Sequence, residues 1–379
     1  MRKLGIYIHI PFCKSKCYYC DFVSYQNKED KIEEYIKYLK CEIKEVAEGY
    51  KKSEIKTIYI GGGTPSYLNA NYIVEIMEEI KTQYNILENA EITIEVNPGT
   101  VTKEKLEQYI CCGINRLSIG LQSKNNNRLK EIGRIHTFED FLQTYNLARQ
   151  AGFKNINIDL IIGLPNDNIE DIRIGINKII ELKPEHISVY SLIIEEGTKI
   201  EKLIQCKELT LPSDSTEREM YLEVKRKLEE QGYIHYEISN FAKLGYESKH
   251  NVDCWDQKEY IGFGVAAHSY TDNVRYSNTE NLEEYINNYK LNKQEDNITI
   301  HERQDKTAKA KEYIILSLRK LKGINLREFE EKFNYNMEKG FKKEIEKLTN
   351  LELIENKNNH IRLTNKGLDF ANIVWEEFL

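Results

Sequence analysis

The amino-acid sequence predicts an α/β protein with a partial (β/α)6 barrel, followed by a mainly helical C-terminal domain that resembles a winged helix. Up to about residue 195, short β-branched segments alternate with amphipathic helical segments about six times. This alternation is typical of a parallel sheet covered by helices. Six units are fewer than the eight of a closed barrel, so we expect the barrel to remain open. Beyond this region the pattern changes to helices and a short β-turn-β unit.

The individual elements follow from hydrophobic periodicity. Between residues 28 and 48, for example, Ile32, Tyr35, Ile36 and Leu39 recur at helical spacing. Because the carboxyl ends of parallel strands lie on one rim, we expect the functional site in the loops that follow them. The strands are predicted at 5–10, 57–60, 91–96, 115–121, 156–163 and 186–194, and the helices at 28–48, 71–84, 103–111, 138–151 and 169–182.

Three regions are expected along the chain: a barrel core at 1–213, an extension that closes the barrel at 214–300, and the winged-helix-like domain at 301–379. Basic and acidic residues nearly balance in the last region, which favours a packing or partner-docking role over DNA binding. The extension contains a predicted helix at 216–231, a strand at 235–239, a polar loop with His250 and Asn251, and a Gly-rich strand at 260–268.

Composition excludes several classes of protein. Hydrophobic residues make up 40% of the chain, charged residues 30%, and the net charge is −7. This profile is that of a folded protein, without the basic excess that duplex nucleic acid requires. No apolar run is long enough to span a membrane and no secretory leader is recognisable, so we expect a cytoplasmic protein. The eight cysteines are therefore not expected to form disulfides.

Three of these cysteines lie together after the first predicted strand. Cys13, Cys17 and Cys20 have the spacing C-x3-C-x2-C. Two of them could form a redox pair or half of a zinc site, but no fourth ligand follows with suitable spacing. Thiolates also hold iron–sulfur clusters, and three cysteines on a cubane of four irons would leave one iron open for chemistry. Apolar residues such as Phe12 around the thiols would exclude water from a cluster.

The segment from Tyr7 to Phe22, which carries this spacing, resembles the radical SAM superfamily. Over nearly its whole length the chain is similar to the anaerobic coproporphyrinogen oxidase group of that superfamily, and most of all to the HemW heme chaperones. The resemblance implies a 4Fe-4S cluster held by Cys13, Cys17 and Cys20, with S-adenosylmethionine on the fourth iron. It also implies that an electron from the cluster cleaves this cofactor to a 5′-deoxyadenosyl radical.

The same resemblance implies the residues that bind S-adenosylmethionine. Glycines that end the second strand allow close backbone approach to a ligand, and no Gly-Lys-Ser/Thr follows them to indicate a nucleotide phosphate loop. A carboxylate ending the third strand can hold ribose hydroxyls or an ammonium. Tyr19 could equally shield the cluster, and His268 could face either the adenosyl site or a heme. The implied contacts are Tyr7, Tyr19, Gly62, Gly63, Thr64, Glu95 and His268, with Gln122, Arg134 and Asp159 for a second S-adenosylmethionine.

Two positions discriminate between the chaperones and the oxidases. The oxidases carry a further cysteine where this chain has Phe22, which disfavours oxidation of coproporphyrinogen III. The segment from His250 to Trp255 resembles the HN-x2-YW motif of the HemW proteins, with Cys254 in place of the tyrosine. The resemblance makes His250 the candidate heme-iron ligand. Cys254 is either an apolar filler or a thiolate contact to heme.

The expected function is that of a HemW-type heme chaperone that delivers heme to membrane-bound respiratory proteins. Its expected electron donor is a flavodoxin or a ferredoxin. No nucleic-acid partner is expected. The alternative is an oxygen-independent coproporphyrinogen III oxidase of porphyrin biosynthesis, which would produce protoporphyrinogen IX.

Overall fold

The computed structural model describes residues 2–379, and its largest element is a twelve-stranded sheet. Six neighbouring parallel strands, in chain order, form its centre, which confirms the predicted fold class. The third strand begins at Asn85, earlier than predicted, because its first residues already pair with the start of the second strand. These six strands are β1 (Lys3–Ile10), β2 (Glu54–Gly62), β3 (Asn85–Val96), β4 (Arg116–Gln122), β5 (Ile156–Ile162) and β6 (His186–Ser191).

Helices follow the strands and bury their apolar sides against the sheet, as in α1, where Tyr35, Ile36 and Leu39 are buried. Local capping fixes their ends: Thr137 and Asp140 form a capping box, and Gly152 ends the same helix at φ 111°. The helices are α1 (Ile32–Ala47), α2 (Ala70–Gln83), α3 (Lys103–Cys111), α4 (Asn126–Glu131), α5 (Phe138–Ala151), α6 (Ile169–Glu181), α7 (Lys199–Gln205) and α8 (Asp214–Glu230). Of these, α4 and α7 are short and were not predicted.

The segment after α8 extends the sheet at both of its edges. Two short antiparallel strands join β6, while four others continue the sheet beyond β1, the first of them parallel to it. His250 and Asn251 lie in a short helix, not in the predicted polar loop. The elements are β7 (Ile234–Glu237), β8 (Asn240–Ala242), α9 (Lys249–Trp255), β9 (Tyr260–Phe263), β10 (His268–Thr271), β11 (Val274–Asn278), α10 (Leu282–Lys290) and β12 (Ile298–Arg303).

The remaining chain forms short helices around a three-stranded antiparallel sheet with its own apolar core. Its hairpin, which corresponds to the predicted β-turn-β unit, turns at Asn358 and Asn359, both at positive φ. Among residues 2–379, no helix combines the length and the apolar character needed to cross a membrane. The elements are α11 (Lys306–Ser317), β13 (Ile324–Asn325), α12 (Leu326–Phe333), α13 (Met337–Gly340), α14 (Lys342–Asn350), β14 (Ile354–Lys357), β15 (His360–Leu363), α15 (Asn365–Asp369) and α16 (Ala371–Glu376).

Candidate functional site

A cavity of about 470 Å³ lies at the carboxyl ends of the six parallel strands. Small-molecule sites typically measure about 300–1,000 Å³, so the cavity can hold a nucleotide-sized ligand. Strands distant in sequence contribute to it because their carboxyl ends share one rim. The residues predicted to bind the cluster or S-adenosylmethionine that line the cavity are Cys13, Cys17, Tyr19, Cys20, Gly62, Gly63, Thr64, Glu95, Gln122, Arg134 and Asp159.

Backbone hydrogen bonds fix the cysteine loop to its neighbours. The amide of Cys13 donates to the Tyr25 carbonyl at 3.0 Å, and that of Thr64 donates to the Phe12 carbonyl at 2.9 Å. Cys13 Sγ also lies 3.3 Å from Thr64 Oγ1, so the first thiol contacts the Gly-rich loop directly. Burial raises the pKa of the Cys13 thiol, and it raises the pKa of Cys20 to about 11. These thiols therefore stay protonated near neutral pH until a metal deprotonates them.

The donors of the cysteine loop are three thiols, the type of ligand that holds iron–sulfur clusters. Within residues 2–379, no group of three or more His, Cys, Asp and Glu side chains converges on the position of one metal ion. A cubane does not require such convergence, because each thiolate binds a different iron. Cys13, Cys17 and Cys20 nevertheless border the same cavity. A cluster held by these thiols would thus expose an iron to a ligand in the cavity.

The Gly-rich loop brings bare backbone to the wall of the cavity. Gly62 has φ 105°, and a Cβ added there would lie 2.6 Å from the His9 ring. A Cβ on Gly63 would lie 2.9 Å from the Ile10 carbonyl. Any larger side chain at these two positions would push the loop away from β1. Glycine at these two positions therefore allows the backbone of the loop, and Thr64 after it, to stay close to the cavity.

Two carboxyl groups face the cavity from β3 and β5, the strands on either side of β4. The Glu95 carboxylate accepts a hydrogen bond from Tyr59 OH at 2.9 Å, and Asp159 accepts bonds from Ser118 and Asn157 at 3.0 and 2.8 Å. Burial raises the pKa of Asp159. Burial, with the charge of Asp159 nearby, raises the pKa of Glu95 to about 7. A cationic ligand would relieve both effects, which fits the sulfonium and ammonium groups of S-adenosylmethionine.

Gln122, the last residue of β4, and Arg134, in the loop between α4 and α5, line the cavity. Gln122 has φ 70°, unusual for a residue with a side chain, and lies at a register shift between β4 and β5. The Arg134 guanidinium donates to Asn97 Oδ1 at 2.8 Å, to the Gly120 carbonyl at 2.6 Å and to Cys17 Sγ at 3.4 Å. Arg134 thus joins the ends of β3 and β4 to the cysteine loop.

Two predicted cofactor residues lie outside the cavity. Tyr7 is in the barrel interior, where its hydroxyl is 3.0 Å from His9 Nδ1 and its ring stacks on Tyr59. His268 is exposed at the start of β10, beyond β9, and stacks against His301 with ring centroids 5.3 Å apart. The structure thus separates His268 from the other predicted contacts because β9 lies between β10 and the barrel strands.

His250 lies away from the cavity, nearer the amino-terminal ends of the strands. Its Nδ1 is 2.9 Å from Thr57 Oγ1, and its backbone amide donates to Glu91 Oε1 at 3.2 Å. Its ring contacts those of Tyr59 and Tyr260, with centroids 5.4 and 6.4 Å away. Burial lowers the pKa of His250 to about 4, so the imidazole is neutral. Within residues 2–379, its Nε2 makes no hydrogen bond.

The helix that carries His250 is held by the C-terminal region. The Arg319 guanidinium stacks on Trp255 at 4.3 Å and on Trp375 at 5.1 Å. The Lys320 ammonium forms an ion pair with Asp256. These contacts fix α9 against residues that come more than sixty positions later in the chain. Arg319 and Trp375 were not predicted to contribute, because neither belongs to a recognisable motif.

Tyr59, Asn97 and Tyr190 also line the cavity and were not predicted. Tyr59 and Tyr190 could have been found from strand alternation. Tyr59 pairs with Tyr7 on β1, and Tyr190 is on the same face as Asp159 on β5. Arg116 is a further inward-facing residue, 2% exposed, at the start of β4. Nothing in the sequence except this alternation indicates that Arg116 lies in the barrel interior.

Comparison with known proteins agrees with this geometry. The profile of the radical SAM superfamily matches residues 7–176, and that of the HemN C-terminal domain matches residues 304–370. The chain is 37% identical to the heme chaperone HemW of Lactococcus lactis subsp. lactis (strain IL1403), covering 98% of this chain and 96% of that protein. The chain belongs to the HemW family of radical SAM proteins. The HemW of Bacillus subtilis (strain 168) is 36% identical and covers 98% of both chains.

A solved structure supports the fold independently. Coproporphyrinogen III oxidase (HemN) from Escherichia coli, described as a radical SAM enzyme, superposes with a TM-score of 0.86. The match covers 100% of this chain and 90% of that chain at 24% identity, and so shows a shared fold. The predicted family and fold class are therefore confirmed. Radical SAM membership implies a 4Fe-4S cluster and S-adenosylmethionine, and similarity to HemW implies heme.

Proposed function

We propose that this protein is a cytoplasmic HemW-type heme chaperone, which binds heme and delivers it to membrane-bound respiratory heme proteins. The observation that carries the proposal is the similarity to HemW over 98% of the chain. The cavity at the strand ends supports the cofactor part, because it gathers thiols, bare backbone and carboxyl groups in one place. As in the sequence-based expectation, the electron donor would be a flavodoxin or a ferredoxin.

Within this proposal, Cys13, Cys17 and Cys20 hold the 4Fe-4S cluster. Gly62, Gly63 and Thr64 bind the methionine part of S-adenosylmethionine, and Glu95 binds its cationic or hydroxyl groups. When bound, the cluster supplies an electron for cleavage of the sulfonium. The protein's own contribution is to hold the thiols and to place the buried Glu95 carboxyl where a cation would favour its ionised form. Gln122 and Asp159 extend the same wall and could contact a second S-adenosylmethionine.

The heme part of the proposal rests on His250. Its Nδ1 is engaged by Thr57 at 2.9 Å, which leaves Nε2 as the available metal ligand. Ligating histidines commonly use one ring nitrogen for the metal and bond the other to the protein. The imidazole is only 7% exposed, so a macrocycle can reach it only after α9 moves. We propose that residues 301–379, which hold α9 through Arg319 and Lys320, control that movement.

The competing function is oxidation of coproporphyrinogen III. Where the oxidases carry their additional cysteine, this chain has Phe22, whose side chain is 63% exposed at the mouth of the cavity. Its ring supplies no thiol to the reacting groups. The likeness to HemN at 24% identity concerns the fold and carries no argument about the reaction. The chaperone is therefore the function that we propose.

A heme titration of the anaerobically reconstituted full-length protein tests the proposal. We expect one heme to bind per chain, with a visible spectrum that changes in His250→Ala and not in the control His360→Ala. Anaerobic incubation with coproporphyrinogen III, S-adenosylmethionine and a reductant should yield no protoporphyrinogen. Formation of protoporphyrinogen in that assay would overturn the chaperone function and favour the oxidase function. An unaltered spectrum in His250→Ala would leave the function standing and remove His250 as the ligand.

Delivery requires a second measurement. Heme-loaded protein should transfer heme to membranes that contain heme-free respiratory enzymes and restore their oxidase activity. The same membranes given free heme at equal concentration provide the control. Transfer no faster than that from free heme would contradict the delivery part of the proposal.

A further inference from the structure

Arg134 was expected to contact a second S-adenosylmethionine, but its side chain is directed at a cysteine. One nitrogen of the guanidinium lies 3.4 Å from Cys17 Sγ, within hydrogen-bond distance for sulfur. The other terminal nitrogen donates to Asn97 Oδ1 at 2.8 Å and to the Gly120 carbonyl at 2.6 Å. Hydrogen bonds to the ends of two strands therefore hold one terminal nitrogen of the guanidinium, while the other terminal nitrogen faces the sulfur.

The backbone around Arg134 is fixed against the cysteine loop. Its amide donates to the Leu129 carbonyl at 2.8 Å, and Tyr18, next to Cys17, donates its amide to the Ile132 carbonyl at 2.9 Å. Gly133 has φ 76°, and a Cβ there would lie 2.5 Å from the Tyr18 ring. The segment before Arg134 thus packs directly against the cysteine loop. Movement of the guanidinium away from Cys17 would also break its hydrogen bonds to Asn97 and to the Gly120 carbonyl.

A cation that donates a hydrogen bond to a cluster thiolate favours the more electron-rich state of the cluster. Hydrogen bonds to the sulfurs and nearby charge are among the factors that set the reduction potential of iron–sulfur clusters. The reduction adds one electron to the cluster and breaks no bond in the protein. Lys16 also carries a positive charge in the loop, but its ammonium donates to the Phe22 carbonyl at 3.0 Å. Arg134 therefore differs from Lys16 in contacting a ligand atom.

We propose that Arg134 is a positioning residue that raises the reduction potential of the cluster through its N–H···S contact with Cys17. The proposal rests on the cluster assigned above and goes beyond it, because it gives the cluster a protein group that controls how readily it accepts an electron. It also gives Arg134 a role that does not depend on a second S-adenosylmethionine.

The test is a redox titration of the anaerobically reconstituted full-length protein, followed by electron paramagnetic resonance without S-adenosylmethionine. Omission of the cofactor separates an effect on the cluster from an effect on cofactor binding. For Arg134→Met we expect the ratio of reduced to oxidised cluster at a fixed solution potential to fall about tenfold, which corresponds to a midpoint lower by about 59 mV for one electron. Arg134→Lys, which keeps the charge, should recover part of the shift. Lys16→Met is the matched control and should change the midpoint much less.

Iron content is measured first. A wild-type protein that binds far fewer than four irons would reject the cluster itself, and with it this inference. With full iron content, an unchanged midpoint in Arg134→Met, or a shift no larger than that of Lys16→Met, would reject the role of Arg134 alone. If Arg134→Met does not retain the cluster, Arg134→Gln, which keeps an N–H donor without charge, is measured instead. An unchanged midpoint in Arg134→Gln would then reject the role of Arg134.

Discussion

The raised pKa of Glu95 makes the binding of S-adenosylmethionine depend on pH in a specific manner. Burial is the main cause, and it raises the pKa from 4.5 to about 7. At pH 6 roughly one tenth of the carboxyl groups are then ionised, and at pH 8 roughly nine tenths. If S-adenosylmethionine binds only when Glu95 is ionised, its affinity for the wild-type protein should increase about tenfold from pH 6 to pH 8 because of Glu95 alone.

The cofactor has its own titrating amino group, with an ordinary pKa of about 7.7–8.0 for such groups, so the wild-type curve contains both effects. Glu95→Gln isolates the carboxyl group, because the amide still accepts the hydrogen bond from Tyr59 but cannot ionise. Equilibrium binding measured anaerobically at pH 6, 7 and 8 should show a weaker pH dependence for this variant. Glu88→Gln, at an exposed position of the same strand, should follow the wild-type curve.

The same shift has a consequence for stability without the cofactor. The pKa is higher in the folded protein than in the unfolded chain, so the contribution of Glu95 to stability is full below about pH 4.5 and is lost as the pH rises through about 7. The shift corresponds to about 3 kcal/mol at about 1.4 kcal/mol per pH unit, and to about 1–2 kcal/mol after allowance for water in the cavity. Glu95→Gln should therefore be more stable than the wild-type protein at pH 8 and equal to it near pH 4.5.

Denaturant unfolding of the cofactor-free protein at both pH values measures this difference. Two results would refute the reasoning. One is a stability difference between Glu95→Gln and wild type that does not change with pH. The other is a pH dependence of cofactor affinity that is the same in Glu95→Gln as in the wild-type protein.

Other predictions concern the cysteine loop, the Gly-rich loop and the C-terminal contact. Cys17→Ser should bind fewer than about four irons after reconstitution, whereas Cys206→Ser, at an exposed thiol, should keep the full complement. Gly62→Ala should lower the free energy of unfolding by about 1–3 kcal/mol, because its Cβ would lie 2.6 Å from the His9 ring at a φ of 105°; an unchanged denaturant midpoint would contradict this. Arg319→Met should lower the melting temperature and speed heme association in stopped-flow measurements, because α9 loses a stacking contact; unchanged association would remove this contact from the control of heme access.

The sequence predicted the fold well because the barrel strands are nearly continuous apolar runs separated by amphipathic helices. In β1 and β4, buried residues follow one another with few interruptions, as expected for strands covered on both faces. Many residues of the cavity wall were accessible from the sequence, since most of the candidates lie near the carboxyl end of a predicted strand or in the loop that follows it. Residues of this kind converge whatever the details of packing, because parallel strands end on the same rim.

The features that the sequence did not predict depend on packing between distant segments. The polar segment around His250 has no helical periodicity of its own, and it forms α9 where Thr57, Glu91 and the C-terminal region surround it. The separation of His268 from the cavity depends on the order of β9 and β10 at the sheet edge. The direction of Arg134 depends on hydrogen bonds to Asn97 and Gly120. None of these contacts leaves a pattern in the local sequence.

The barrel places the two candidate sites on the same strand, one near each end of β2. Tyr59 lies between them: its hydroxyl donates to Glu95 at 2.9 Å, and its ring contacts that of His250 at 5.4 Å. A change at His250 that moves the Tyr59 ring can therefore also alter the hydrogen bond between Tyr59 and Glu95 in the cavity. Since coupling between two binding sites is reciprocal, a ligand that moves Tyr59 on one side alters the affinity of the other. If His250→Ala loses heme, the loss therefore identifies His250 as the heme-iron ligand only when the variant binds S-adenosylmethionine as tightly as the wild-type protein does.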